Sequence, residues 1–118
     1  MGIDELEALL RSYKVPRGVN EYDVQEVVEE ILIAEGVSYE RERRLGKLDR
    51  PDFLVQGGTA IEVKVQGGIT PLMDQLLRYT ESELVSGVIL VTSCVRHRVG
   101  VTELGGKPLR TIWISGDL

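Results

Sequence analysis

The sequence predicts an α/β fold: a mixed central sheet flanked by helices, in the order helix, three strands, helix, strand, with one more strand near the end. Three observations carry this. Between residues 20 and 35, Val24, Val27, Val28, Ile31, Leu32 and Ala34 fall on one side at helical spacing, so that side packs on something. Two apolar stretches meet across Gly57-Gly58, which reads as a hairpin. The run Val88-Ile89-Leu90-Val91 suits a central strand buried on both faces, and it follows a helix of roughly a dozen residues. A strand, a crossover helix and a buried strand make parallel neighbours.

Taken in order, residues Asp4 to Tyr13 carry Leu6, Leu9 and Leu10 among polar neighbours and read as a short helix ending near Pro16. Val15 to Asn20 is a turn. Asn20 caps the next helix, and Gly36 supplies its C-terminal stop. Val37 to Arg44 alternates as a strand with one solvated face. Asp52–Val55 and Thr59–Val65 form the hairpin. Thr70 and Pro71 open a helix reaching Glu83, Gly87–Thr92 is the buried strand, and Arg110–Ile114 is a shorter last one.

With 118 residues, 42% hydrophobic and 28% charged, one globular domain over residues 1–118 is expected. No apolar run approaches the ~18 residues of a membrane span, and no basic patch followed by an apolar stretch opens the chain. A cytoplasmic protein without a membrane partner is the expectation. A single cysteine, Cys94, excludes an intrachain disulfide and a multi-thiolate zinc site, and a single histidine, His97, excludes a His-rich centre. A net charge of −5 argues against nucleic-acid binding by bulk charge but leaves a local patch open. Carboxylate-bound Mg²⁺ or Mn²⁺ also stays open.

The informative stretch is Asp52-Phe53-Leu54-Val55 followed by Ile61-Glu62-Val63-Lys64-Val65. Strand periodicity puts Glu62 and Lys64 on one face and Ile61, Val63 and Val65 on the other. A two-residue turn would set Asp52 beside Val63, on the wrong face. A three-residue loop or a one-residue bulge sets it across from Glu62 or Lys64, and also gathers Phe53 and Val55 with the apolar set. The hydrophobic pattern therefore selects a register that brings Asp52, Glu62 and Lys64 together. Two adjacent carboxylates repel, and oxygen ligands without His or Cys suit Mg²⁺ or Mn²⁺. Lys64 beside such an ion can orient a water or stabilise charge on a phosphorane-like transition state, which points to metal-assisted phosphodiester hydrolysis.

Pro51-Asp52, nine intervening residues, then Glu62-Val63-Lys64 resembles the PD-(D/E)XK nuclease signature, in the same order of elements. The resemblance covers roughly Asn20 to Thr92 and implies a restriction-endonuclease-like core, with Asp52, Glu62 and the Val63 backbone carbonyl holding the metal and Lys64 as the catalytic lysine. Glu21, followed by Gln25, is similar to the helix-borne Glu and Gln of the VRR-NUC branch, where the Glu completes the metal site. Gln75 and Tyr79 resemble the Gln-x-x-x-Tyr element that supports the site and the DNA. The short chain looks like the Holliday-junction resolvases and small VRR-NUC proteins, which implies a homodimer acting on DNA, including branched or junction DNA.

Each signal has a structural alternative. Asp52, Glu62 and Lys64 can form a surface ion network, and Glu21 can simply favour its helix dipole. Gln75 and Tyr79 can be a polar residue and a half-buried aromatic. Arg41, Arg43, Arg44, Lys47 and Arg50 can be a solvated face or can grip phosphates, and strand alternation puts Arg41 and Arg43 on one face. On the helical wheel Glu26, Glu29 and Glu30 point away from the apolar side. Arg96-His97-Arg98 is a further candidate contact, whereas Cys94 and His97 have no partner acid for thiol chemistry. The principal functional alternative is a non-catalytic nucleic-acid-binding or assembly module with the nuclease fold. A structural or partner-inhibiting protein is a further one.

Overall fold

The computed structural model describes residues 1–15, 20–97 and 100–114. Helices α1 (Ile3–Ser12) and α2 (Glu21–Ala34) precede strands β1 (Tyr39–Arg41), β2 (Phe53–Val55) and β3 (Thr59–Lys64). Helix α3 (Ile69–Thr80), strand β4 (Gly87–Thr92), a 3₁₀ turn (Val95–His97) and strands β5 (Glu103–Leu104) and β6 (Lys107–Trp113) follow. The six strands form one mixed sheet in the order β1-β2-β3-β4-β6-β5. The β1-β2-β3 meander is antiparallel, while β3, β4 and β6 run parallel. This is an α/β fold with three helices among the described residues, and none of those is long and apolar enough to cross a membrane.

The local signals of α2 act as expected. The Asn20 side chain accepts the Asp23 N–H at 3.0 Å, satisfying a donor that the helix cannot. At the other end Gly36 takes φ +67°, its N–H bonds the Ile33 carbonyl, and the Val37 N–H bonds that of Leu32. That pair of bonds is a Schellman stop, which needs a residue tolerant of the left-handed region. Val24, Val28, Ile31 and Leu32 are buried, whereas Ala34 is exposed.

The sheet separates two apolar layers. Phe53, Val55, Ile61, Val63, Ile89 and Val91 face Leu6 and Leu10 of α1 and the buried stripe of α2. Leu54, Ala60, Val88, Leu90 and Leu109 face Leu72, Leu76 and Tyr79 of α3. Phe53 pairs with Ile61 and Leu54 with Ala60, one of the two registers the hydrophobic pattern allows, and it carries Asp52 opposite Glu62. All six residues of β4 are buried, as its apolar run predicts. Across the parallel strands Lys64, Thr92 and Trp113 lie in one row.

Several expectations are corrected. The strand predicted over Val37–Arg44 stops at Arg41, because Glu42 adopts φ +51° and residues 42–52 become a connecting segment. Arg41 and Arg43 therefore share no strand face. Helix α3 ends at Thr80, not Glu83. The last strand begins at Lys107 and is preceded by a hairpin whose tip is Gly105-Gly106, at φ +59° and +78°. Two successive residues with positive φ are the signature of a type I′ turn, so this Gly-Gly pair is a sequence signal for the hairpin. The proposed turn over residues 16–19 and the contact at Arg98 lie outside the described residues.

His97 is completely buried. Its Nδ1 lies 2.7 Å from the Thr92 Oγ1 and its Nε2 3.1 Å from the Gly67 carbonyl. A carbonyl only accepts, so Nε2 carries a proton and donates to it. The ring thus ties the segment leaving β3 to the segment leaving β4, a structural role for His97, while Arg96 beside it is exposed.

Gly58 sits at φ +102°, and a Cβ there would lie 2.7 Å from Ser86 Oγ and 3.0 Å from the Leu84 carbonyl and Ser86 N. Gly58→Ala is expected to destabilise the fold by roughly 1–3 kcal/mol, combining backbone strain with a clash at the hairpin tip. Urea unfolding of the two chains measures this, and a shift below about 0.5 kcal/mol would show that the tip relaxes freely.

Candidate active site

Strand periodicity places Glu62 and Lys64 on the α3 side of β3, while Asp52 stands immediately before β2 and across from Glu62. The Asp52 N–H donates to Glu62 Oε1 at 3.3 Å, and the Val63 N–H donates to Asp52 Oδ2 at 2.7 Å. The Lys64 ammonium lies 3.4 Å from Glu62 Oε2. Glu62 is only 3% exposed, although its carboxylate stands beside another acid.

Helix α3 supplies the third side. Tyr79 is fully buried, and its hydroxyl donates to Glu62 Oε1 at 2.9 Å while lying 3.3 Å from the Arg50 carbonyl. Leu72, Leu76 and Tyr79 follow helical spacing along the inner face of α3, so the seam that packs the helix also delivers the phenol. Gln75, one turn earlier, is half-buried and its side chain makes no hydrogen bond to the described residues.

Burial is the main reason that both acids hold their protons more tightly than usual. It raises Asp52 to about 6, with the Val63 N–H and Lys64 opposing and the nearby Glu21 carboxylate adding to the rise. Burial likewise raises Glu62 to about 7, and the adjoining Asp52 charge pushes the same way against Lys64 and Tyr79. Burial and the Glu62 carboxylate together push the Tyr79 phenol far up, so it remains a donor.

Glu21 opens α2, is half-buried, and its charge reaches Asp52. Gln25 does not face the carboxylates: its Oε1 accepts from Arg41 Nη2 at 2.7 Å. Arg41 also bonds Glu29 at 3.0 Å and the Asp52 carbonyl at 3.1 Å, and its guanidinium lies 4.5 Å above the centre of the Phe53 ring. Glu29, expected to point away, accepts from Arg41 and from the Tyr39 hydroxyl at 2.6 Å. It lies four residues beyond Gln25, on the same flank of α2. Arg41 is thus a half-buried residue bonded within the fold, and its spacing to Gln25 and Glu29 gave no warning because two different elements bring them together.

The other cations lie in the connection before Asp52. Arg43 pairs with Glu40 at 2.9 Å, Arg50 approaches Glu42 at 3.7 Å, and Arg44 bonds the Lys47 carbonyl at 3.2 Å. These are exposed pairs, each contributing little to stability.

No family profile, curated protein or solved structure matches the chain. Among the described residues no three His, Cys, Asp or Glu side chains converge as a metal-binding group. The donor set nevertheless fits a hard divalent cation in one respect: Asp52 Oδ1 has no hydrogen-bond partner among the described residues, and Glu62 Oε2 meets only Lys64. Two carboxylates with one ammonium leave a negative charge to be neutralised, and ions such as Mg²⁺ are held by one or two carboxylates plus water.

Both acids bind protons more readily in the folded chain than in the unfolded one. Their contribution to stability is fully present below about pH 4 and lost as pH rises through about 6 to 7. Glu62→Gln should consequently unfold at a higher temperature than the parent at pH 8 in metal-free buffer, with the gain shrinking toward pH 5. Thermal melts across that range measure it, and a gain independent of pH would assign the effect to something other than the buried charge.

Proposed function

We propose that the chain is a metal-dependent DNA nuclease of the PD-(D/E)XK type, using Mg²⁺ or Mn²⁺ to hydrolyse phosphodiester bonds. The observation that carries this reading is Glu62, a buried carboxylate held beside Asp52 and Lys64 and oriented by Tyr79. A carboxylate costs several kcal/mol to bury, so its retention beside a second acid calls for a charge to neutralise both. In this reading Asp52, Glu62 and the Val63 carbonyl hold the ion, and Glu21 completes its surroundings through water. The bound ion would supply Lewis-acid polarisation of a phosphoryl oxygen.

The chain's own groups would do the rest. Lys64 holds the attacking water or stabilises the charge that develops on the phosphoryl oxygens. Tyr79 keeps Glu62 in one rotamer, and the Val63 N–H does the same for Asp52. Substrate would reach the site past Arg43, Arg44, Lys47 and Arg50, which lie in the segment leading into Asp52. Branched and junction DNA are the substrates of first interest, and a homodimer would present two such sites.

A non-catalytic DNA-binding module with this fold is favoured by one observation, the lack of a three-ligand cluster among the described residues. A cleavage assay on linear, nicked, flap and four-way DNA decides between the readings. With Mg²⁺ or Mn²⁺, wild type should cleave at least one of these, EDTA should abolish the activity, and Asp52→Asn, Glu62→Gln and Lys64→Ala should each lower it by a factor of 100 or more. Cleavage that survives chelation, or persists in all three variants, would remove the mechanism. Binding without cleavage would favour the module.

Binding should also depend on salt. Each neutralised phosphate contributes about −0.9 to the slope of log K against log salt on duplex DNA, so four exposed cations predict a slope of roughly −3 to −4 per protomer. Arg44→Ala with Lys47→Ala should reduce that slope by about two, measured by fluorescence anisotropy between 50 and 300 mM salt. An unchanged slope would place the contact surface elsewhere on the molecule.

A further inference from the structure

We propose that Arg41 is a positioning residue that sets the separation between Glu21 on α2 and Asp52 before β2; this rests on the metal-site reading above. Three of the five guanidinium donors are engaged by three different partners: Gln25, Glu29 and the Asp52 carbonyl. Gln25 lies one helical turn after Glu21, and Glu29 two turns after it, so the grip falls on the flank of α2 that begins with Glu21. The third bond falls on the main chain of Asp52 itself. One side chain therefore clamps the helix bearing one acid to the backbone bearing another.

The clamp is itself braced. The Phe53 ring lies under the guanidinium plane, and the Tyr39 hydroxyl holds the second oxygen of Glu29. Both brace residues belong to strands, so α2 is fixed against the sheet at the level of the site. The Asp52 side chain is anchored from the opposite direction by the Val63 N–H. With its carbonyl on Arg41 and its Oδ2 on Val63, Asp52 has little freedom left to adjust its distance from Glu21.

Arginine suits this role because its planar fork offers three directions at once; lysine offers a single ammonium on a flexible stem and cannot span the same partners. A phosphate-gripping role makes the opposite demand, since it requires donors directed at solvent. The two roles separate experimentally, because one acts on the metal and the other on the salt dependence of DNA binding.

The test uses the full chain and Mn²⁺ alone, with the bound fraction read from the electron paramagnetic resonance signal of free Mn²⁺ at pH 8. Arg41→Lys should weaken Mn²⁺ binding about tenfold, and Gln25→Ala, which removes a single arm of the clamp, a few-fold. The slope of log K against log salt for DNA should stay that of wild type in both. Unchanged Mn²⁺ affinity in these variants, with a slope lower by about one in a third variant, Arg41→Gln, that removes the charge, would make Arg41 a phosphate contact and overturn the proposal. Unchanged Mn²⁺ affinity with only a lower melting temperature would leave it a purely structural pair and overturn it too. Gln25→Ala keeps the Glu29 and Asp52 bonds, so it remains informative if Arg41→Lys fails to fold. Wild type that binds no Mn²⁺ defeats the metal reading and the proposal with it, whereas normal binding by wild type and by both variants defeats the proposal alone.

Discussion

The structure is organised around one costly placement, a glutamate buried inside a sheet within reach of a second acid. Water would solvate Glu62 far better than the α3 face of β3 does. The fold offsets part of this with a phenol, a backbone N–H and an ammonium, each delivered by a different element. Those three elements must then keep their mutual positions. The hairpin holds its register, α3 keeps its inner seam on the sheet, and the glycines at the hairpin tip occupy backbone regions closed to most residues.

That register was legible because it is over-determined. A slip by one residue would have moved Phe53 and Val55 away from Ile61 and Val63, so the apolar pattern and the charge cluster demand the same pairing. The capped start and glycine stop of α2 were legible for a similar reason, since each depends on a single residue type with one dominant local use. Tyr79 was legible as a residue of interest from its spacing to Gln75, but its bond to Glu62 needed the helix in place.

The segment Glu40-Arg41-Glu42-Arg43-Arg44 was not legible, and the reason is physical. Alternating charges look the same on a strand and on a loop, because neither side of the pattern is committed to an apolar core. The turn at Glu42 is a backbone event with no glycine or proline to announce it. Arg41 then appeared equivalent to Arg43, while the structure makes one a half-buried clamp and the other an exposed partner of Glu40. The acids of α2 divide in the same way: Glu29 is consumed by the clamp, and Glu26 and Glu30 remain exposed. The outer side of α2 is consequently acidic, while exposed cations gather in the segment preceding Asp52.

The row formed by Lys64, Thr92 and Trp113 has a practical meaning. Adjacent strands are spaced about 4.8 Å apart, so the backbone of Trp113 lies roughly 10 Å from that of Lys64, on the same level of the sheet. It is also the only tryptophan in the sequence. Indole emission responds to charge and polarity over such distances, and no second fluorophore of its kind contributes background. The molecule therefore carries an intrinsic optical reporter two strands from its buried Glu62, and a change of charge there can be followed without attaching a label.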